Sequence, residues 1–139
     1  MKNPLLFVLL FSLLSCGKKK ITDKHISGDW KIDKYEYSNF QGFTTEFESS
    51  GQFIISTISG SQGNYSIDLS YSDSTNQFIK NEQGVIIIGP EGETYILNRA
   101  NPDGSYSLLN LGNILFLNKS QLETTFIDEY GLHHYILSK

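Results

Sequence analysis

Residues Asn64 to Tyr71, NYSIDLSY, place Tyr65, Ile67, Leu69 and Tyr71 at every second position, with Asn64, Ser66, Asp68 and Ser70 between them. A period of two puts the four large apolar side chains on one face of an extended strand and the four polar ones on the other. A helix does not gather those four side chains, because its apolar face repeats near every 3.6 residues. The segment therefore belongs to a sheet with one dry and one wet side, the pattern of antiparallel sheets.

The rest of the chain repeats the signal. Asp29 to Tyr37 (DWKIDKYEY) sets Trp30 and Ile32 on one face, while Tyr35 and Tyr37 fall on the opposite parity, which predicts a bulge near Lys34. Thr44 to Glu48, a turn at Ser49-Ser50-Gly51 and Gln52 to Ser59 read as a first hairpin, followed by a turn at Gly60-Ser61-Gln62-Gly63. Residues 72 to 83 read as a polar loop with a short strand at Gln77 to Lys80. Val85 to Ile88 is a continuous apolar run closed by Gly89-Pro90-Glu91-Gly92, and Thr94 to Arg99 follows it. Asn101-Pro102-Asp103-Gly104 is a turn, with Pro presetting φ and Gly accepting a left-handed conformation. Ser105 to Leu111, Ile114 to Leu117, Leu122 to Asp128 and Leu132 to Ser138 complete the series. Roughly eight to ten short strands, with turns about every 8 to 12 residues, predict an all-β domain, a small up-and-down antiparallel β-barrel or a sandwich. The 139 residues are enough for one such domain, and 15 acidic against 11 basic side chains give no reason to expect nucleic acid as a partner.

The N-terminus is of another kind. MKNPLLFVLLFSLLSCG carries Lys2, an apolar run from Leu5 to Leu14 broken only by Ser12, and then small residues. As a helix the run is about 15 Å long, half the roughly 30 Å hydrocarbon core of a bilayer. It reads as a secretory signal peptide over residues 1–15. Leu13-Leu14-Ser15-Cys16 resembles the lipobox of bacterial lipoproteins. That resemblance implies cleavage between Ser15 and Cys16, a diacylglycerol thioether on Cys16 and a further acyl chain on the new amino terminus. Three chains make a lasting membrane anchor. Cys16 is the only cysteine, so its acylation leaves no thiol for catalysis or for a disulfide. Residues 16–25, with Lys18, Lys19 and Lys20, read as a lysine-rich tether, and residues 26–139 as the folded domain. Gly17 is not the aspartate of inner-membrane retention signals, and the lysines lack the acidic character of surface-export signals, so the resemblance points to the periplasmic face of an outer membrane.

Ser27-Gly28-Asp29-Trp30 supplies a G-x-W at the start of the first strand, after a short tether and ahead of a β meander. In that position it resembles the opening of lipocalins and of the short lipocalin-like domains of bacterial lipoproteins. The resemblance implies a barrel closed at one end by Trp30 and open at the other to a small apolar or amphipathic ligand, with Trp30, Tyr65, Ile67, Leu69 and Tyr71 as candidate lining residues. The T-D-Y turn motif and the C-terminal helix of full lipocalins are absent. So is the late-strand arginine that lies across the Trp: Arg99, the only arginine, reads as an exposed strand residue.

Catalytic and metal chemistry finds little support. His133 and His134 are neighbours on a strand and point to opposite faces, so they do not share a metal. For DEYGLHH, a three-residue loop Glu129-Tyr130-Gly131 sets Asp128 opposite Leu132 and Ile127 opposite His133. A two-residue Tyr130-Gly131 turn sets Asp128 opposite His133 but demands Tyr130 at positive φ. The three-residue loop is expected, with any Asp128–His133 contact a surface pair. Glu46/Glu48 and Glu91/Glu93 share faces without further partners and read as solvated carboxylates. Walker and CxxC motifs are absent and the G-x-S-x-G elbow has no match. The expectation is a non-enzymatic, cofactor-free, metal-free binding protein. The rival is a protein-interaction module, an envelope accessory or inhibitor subunit, presenting the loop Ser38 to Phe43.

Overall fold

The computed structural model describes residue 17 and residues 19–139, without the side chains of Leu108 and Leu109. Residues 1–15, Cys16 and Lys18, on which the signal-peptide and lipidation expectations rest, lie outside the described residues. A helix, α1, over residues 19–26 leads into eight strands: β1 (Gly28–Asn39), β2 (Thr44–Ile55), β3 (Gln62–Ser72), β4 (Gln77–Ile88), β5 (Thr94–Ala100), β6 (Tyr106–Leu117), β7 (Gln121–Ile127) and β8 (Gly131–Ser138). Each strand pairs antiparallel with the next, and β8 returns to β1, closing an up-and-down barrel. Closure leaves no edge strand exposed. A barrel of eight strands is just wide enough for side chains to fill or for one small ligand.

The NYSIDLSY alternation holds: Tyr65, Ile67 and Leu69 are buried in the interior and Asp68 faces out. The bulge near Lys34 is present. The β1 register shifts between Lys31 and Tyr35 against β2 and between Ile32 and Lys34 against β8, which turns Trp30, Ile32, Tyr35 and Tyr37 all toward the inside.

Two segments differ from the sequence reading. The Ser49-Ser50-Gly51 turn is absent, since β2 runs unbroken through it with Ser49, Ser50 and Gly51 opposite Tyr71, Ser70 and Leu69. Gly51 serves close approach instead: at φ 147°, a Cβ there would overlap the Asp68 carbonyl. Residues 77–88 form one strand rather than a loop and two pieces. Each polar residue of that stretch has a partner on β3, such as Asn81 opposite Asp68 and Glu82 opposite Ile67. Local polarity misleads there because long-range pairing satisfies the backbone.

The base of the barrel is sealed. Trp30 is fully buried, and its indole Nε1 donates to the Ile26 carbonyl at 2.7 Å. Residues 19–25 are thus not a free tether. Lys19 Nζ donates to Ser61 Oγ (2.6 Å), and Thr22 Oγ1 donates to the Gly92 carbonyl (2.8 Å), pinning α1 to the β2–β3 and β4–β5 connections. Above this base, Phe53, Ile86, Leu97, Leu122, Tyr135 and Leu137 pack the interior solid.

Candidate functional site

The opposite end of the barrel is bounded by the connections at residues 40–43, 73–76, 101–105 and 128–130, and it holds a cavity of about 280 Å³. The β1 bulge brings Tyr35 and Tyr37 to its wall, β2 adds Phe47, and the cross-strand pair Tyr71 and Phe78 comes from β3 and β4. Asp73 and Tyr130 stand on its rim, and His133 closes it from β8. A concave site lined chiefly by aromatic carbon with a few polar groups is the usual form of a small-molecule site. A larger groove, of about 460 Å³, runs along Ser66, Asp68, Asn81 and Gln83 to Pro102, but its walls are mostly outward-facing polar side chains.

The rings are ordered among themselves. Tyr35 stacks on Phe47 with centroids 5.6 Å apart and planes within 20°, and Tyr71 stacks on Phe78 at 5.1 Å and 20°. The two stacks stand edge to face, at 68° between Tyr35 and Tyr71 and 73° between Phe47 and Tyr71. Offset stacks joined edge to face are the favoured arrangements of aromatic quadrupoles.

A polar relay lies beside them. Asp128 Oδ2 is 2.8 Å from His133 Nε2, and His133 Nδ1 is 2.9 Å from the Tyr35 hydroxyl. An ionised Asp128 only accepts, so Nε2–H donates to it, and the Tyr35 hydroxyl donates to Nδ1 when that nitrogen carries no proton. Burial opposes the charge on Asp128, yet hydrogen bonds from His133 and from the backbone N–H groups of Tyr130 and Gly131 outweigh it and bring the pKa down to about 2. Burial raises the Tyr35 pKa well above its usual value, helped by Tyr71 and by the Asp128 charge. Tyr35 therefore keeps its proton, and the relay ties the β7–β8 turn to β8 and β1 at the cavity wall.

The hairpin that builds the relay differs from both registers considered in the sequence. The turn is Glu129-Tyr130, with Asp128 N–H donating to the Gly131 carbonyl, Ile127 opposite Leu132 and Phe126 opposite His133. Asp128 Oδ1 accepts from the Tyr130 and Gly131 N–H groups, an Asx turn that leaves Tyr130 out of the left-handed region. Gly131 is required for space, since a Cβ would overlap the Ser38 carbonyl and crowd the Tyr37 ring. His133 consequently points inward and is only 6% exposed, so the expected surface pair is a buried one. His134 points outward, as strand parity requires, and spans Glu36 (2.7 Å) and Glu123 (2.9 Å).

Of the candidate lining residues, Tyr71 borders the cavity. Trp30, Ile67 and Leu69 are fully buried in the packed interior, and Tyr65 is buried with its hydroxyl donating to Glu82 Oε1 at 2.6 Å. The alternation identified the inward face correctly but carries no information on depth along the barrel axis. Arg99 does not approach Trp30, and its Nε donates to Ser107 Oγ. The cation over the indole is Lys139, with Nζ 4.1 Å from the ring centroid. Glu46 meets Lys34 at 3.1 Å on the outer wall.

Among the described residues, no cluster of three His, Cys, Asp or Glu side chains is arranged to hold a metal ion. No family model and no curated protein matches the chain.

Proposed function

We propose that this protein is a non-enzymatic binding protein that takes one small apolar or amphipathic molecule into the open end of its barrel. The observation that carries the reading is the aromatic cavity of about 280 Å³ at one end of a barrel whose other end is sealed by Trp30 and α1. A naphthalene dye that brightens in apolar surroundings tests it. Saturable one-to-one binding, lost in Tyr71→Asp with the circular dichroism spectrum unchanged, is expected; no saturable binding to a monodisperse sample overturns it. Because Trp30 lies at the far end, its emission is a poor reporter.

The same reading places the barrel in a bacterial envelope, held by acyl chains on Cys16 at the periplasmic face of an outer membrane; the lipobox-like Leu13 to Cys16 supports this. A Cys16→Ser variant should remain unprocessed and take up no labelled palmitate, and normal maturation of that variant refutes the anchor.

A second reading, a protein-interaction module, draws on the rim. Phe40 and Phe43 on the first hairpin are 70% and 69% exposed, and Ile79, Tyr106 and Tyr130 are exposed on the other hairpins of that end. Photo-crosslinkers at Phe40 and Phe43 in intact cells should trap one defined partner on this reading; a diffuse ladder counts against it.

A further inference from the structure

We propose that the mouth cavity selects an organic cation of the quaternary-ammonium type, seated in the cavity that the Tyr35–Phe47 and Tyr71–Phe78 ring stacks line, with the Asp73 carboxylate at its rim. The proposal rests on the ligand-binding reading above and names the chemical class of the ligand.

Three observations carry it. The first is the make-up of the wall: Tyr35, Phe47, Tyr71 and Phe78 line one cavity as two stacked pairs turned 68° to 73° from each other, so aromatic side chains border it in more than one orientation. Ring quadrupoles attract cations, and cages of several aromatics are the usual means of holding quaternary ammonium groups. Neutral apolar ligands gain nothing electrostatically from such a wall.

The second is the sign of the charge at the rim. Asp73 lines the cavity, and its Oδ1 accepts hydrogen bonds from Thr75 N–H, Thr75 Oγ1 and Asn76 N–H, which fix the carboxylate in place. Asp128 lies behind this wall, bonded to His133, so Asp73 is the carboxylate in the lining. The third is the disposal of the nearby cations. Among the described residues lining the cavity there is no Lys or Arg. Lys80, also on β4, is engaged elsewhere, 3.4 Å from Glu82 Oε2 and 5.0 Å from the centroid of the Phe126 ring. Arg99 is hydrogen-bonded to Ser107. An anionic headgroup entering the cavity would meet Asp73 with no cation in the lining to receive it.

The size suits a compact ligand, since about 280 Å³ lies just under the roughly 300 to 1,000 Å³ of drug-sized sites.

The deciding experiment is calorimetric titration of the full chain with choline and with 3,3-dimethylbutan-1-ol, which has the same shape without the charge, alongside the naphthalene dye. Choline should bind at least about tenfold more tightly than the alcohol, a gap of about 1.4 kcal/mol. Asp73→Asn, a change at an exposed rim position, should weaken choline several-fold and leave the alcohol unchanged. Equal or tighter binding of the alcohol overturns the cation preference while the ligand-binding reading stands. Binding of the dye alone does the same. If no probe binds, both readings fall together. Unchanged choline affinity in Asp73→Asn, with Tyr71→Leu folded and equally unaffected, places the cation elsewhere and also overturns the proposal.

Discussion

Lys139 Nζ lies 4.1 Å from the centre of the Trp30 ring and donates to the carbonyls of His25 (3.0 Å) and Ser27 (2.7 Å). Lys139 thus covers the first large residue of the barrel and donates to carbonyls at and just past the end of α1. At exposed sites cation–π attraction is worth roughly 0.5 to 1 kcal/mol and charge at a helix C-terminus roughly 0.3 to 1 kcal/mol. Lys139→Ala should therefore lower unfolding stability by about 1 kcal/mol in urea titrations, and Lys139→Arg should restore most of it. An unchanged midpoint in Lys139→Ala would show that the lid is ornamental.

Asp128 links the mouth to pH. Its folded pKa of about 2 lies below the ordinary value of 3.8, so its contribution to stability is fully present above about pH 4 and is lost as pH falls through about 2. Allowing for its partial exposure, the contribution is on the order of 1 kcal/mol. Urea midpoints between pH 5 and 2 should fall more steeply for the native chain than for Asp128→Asn. Parallel curves would remove Asp128 from the acid transition.

Lys80 and Glu82 form an ion pair on the inner side of β4, with the Glu82 side chain only 3% exposed and bonded to Tyr65 as well. Removing one member of a buried pair strands the other charge. Lys80→Met should cost about 2 to 3 kcal/mol, whereas adding Glu82→Gln, which keeps an acceptor for Tyr65, should recover more than half of that loss. A double-mutant cycle with no coupling would show the pair to be independent.

The buried hydroxyls of Tyr135 and Tyr95 make a matched comparison. Tyr135 Oη has no hydrogen-bond partner among the described residues, whereas Tyr95 Oη is 2.7 Å from Thr124 Oγ1. Deleting an unpaired buried hydroxyl relieves a desolvation cost, while deleting a paired one forfeits a bond. Tyr135→Phe should be neutral or stabilising by up to about 1 kcal/mol, and Tyr95→Phe destabilising by about 1 kcal/mol in thermal unfolding. The reverse order is the result that contradicts this account.

Gly112 is a packing requirement, since a Cβ there would run into the Tyr95 ring. Overpacking of a filled core typically costs about 1 to 3 kcal/mol. Gly112→Ala should fall in that range by urea titration, and a Gly112→Ala/Tyr95→Leu double variant should recover part of it. No loss in the single variant would mean the ring has room to move.

What could be read in advance follows from range. The alternation at Tyr65 to Tyr71, the bulge that reverses parity between Ile32 and Tyr35, and the turn at Asn101 to Gly104 all depend on residues within a few positions of one another. Each stands in the structure. Gly51 departs from its local signal because a glycine after two serines favours a turn, whereas its backbone packs against Asp68 on the next strand. His133 departs from its expected place for a related reason: a shift in hairpin register changes what lies opposite it, and Asx capping by Asp128 decides that register.

The all-β class, the dry and wet faces of the strands, and Trp30 at the first strand's start are legible along the chain, because strand period and turn chemistry are local properties. Closure of the eight strands, Lys139 rather than Arg99 over Trp30, and the meeting at the mouth of Tyr35 with His133, 98 residues away, emerge from the folded barrel. Those facts depend on closure and register around the whole barrel, which bring together side chains from opposite ends of the chain.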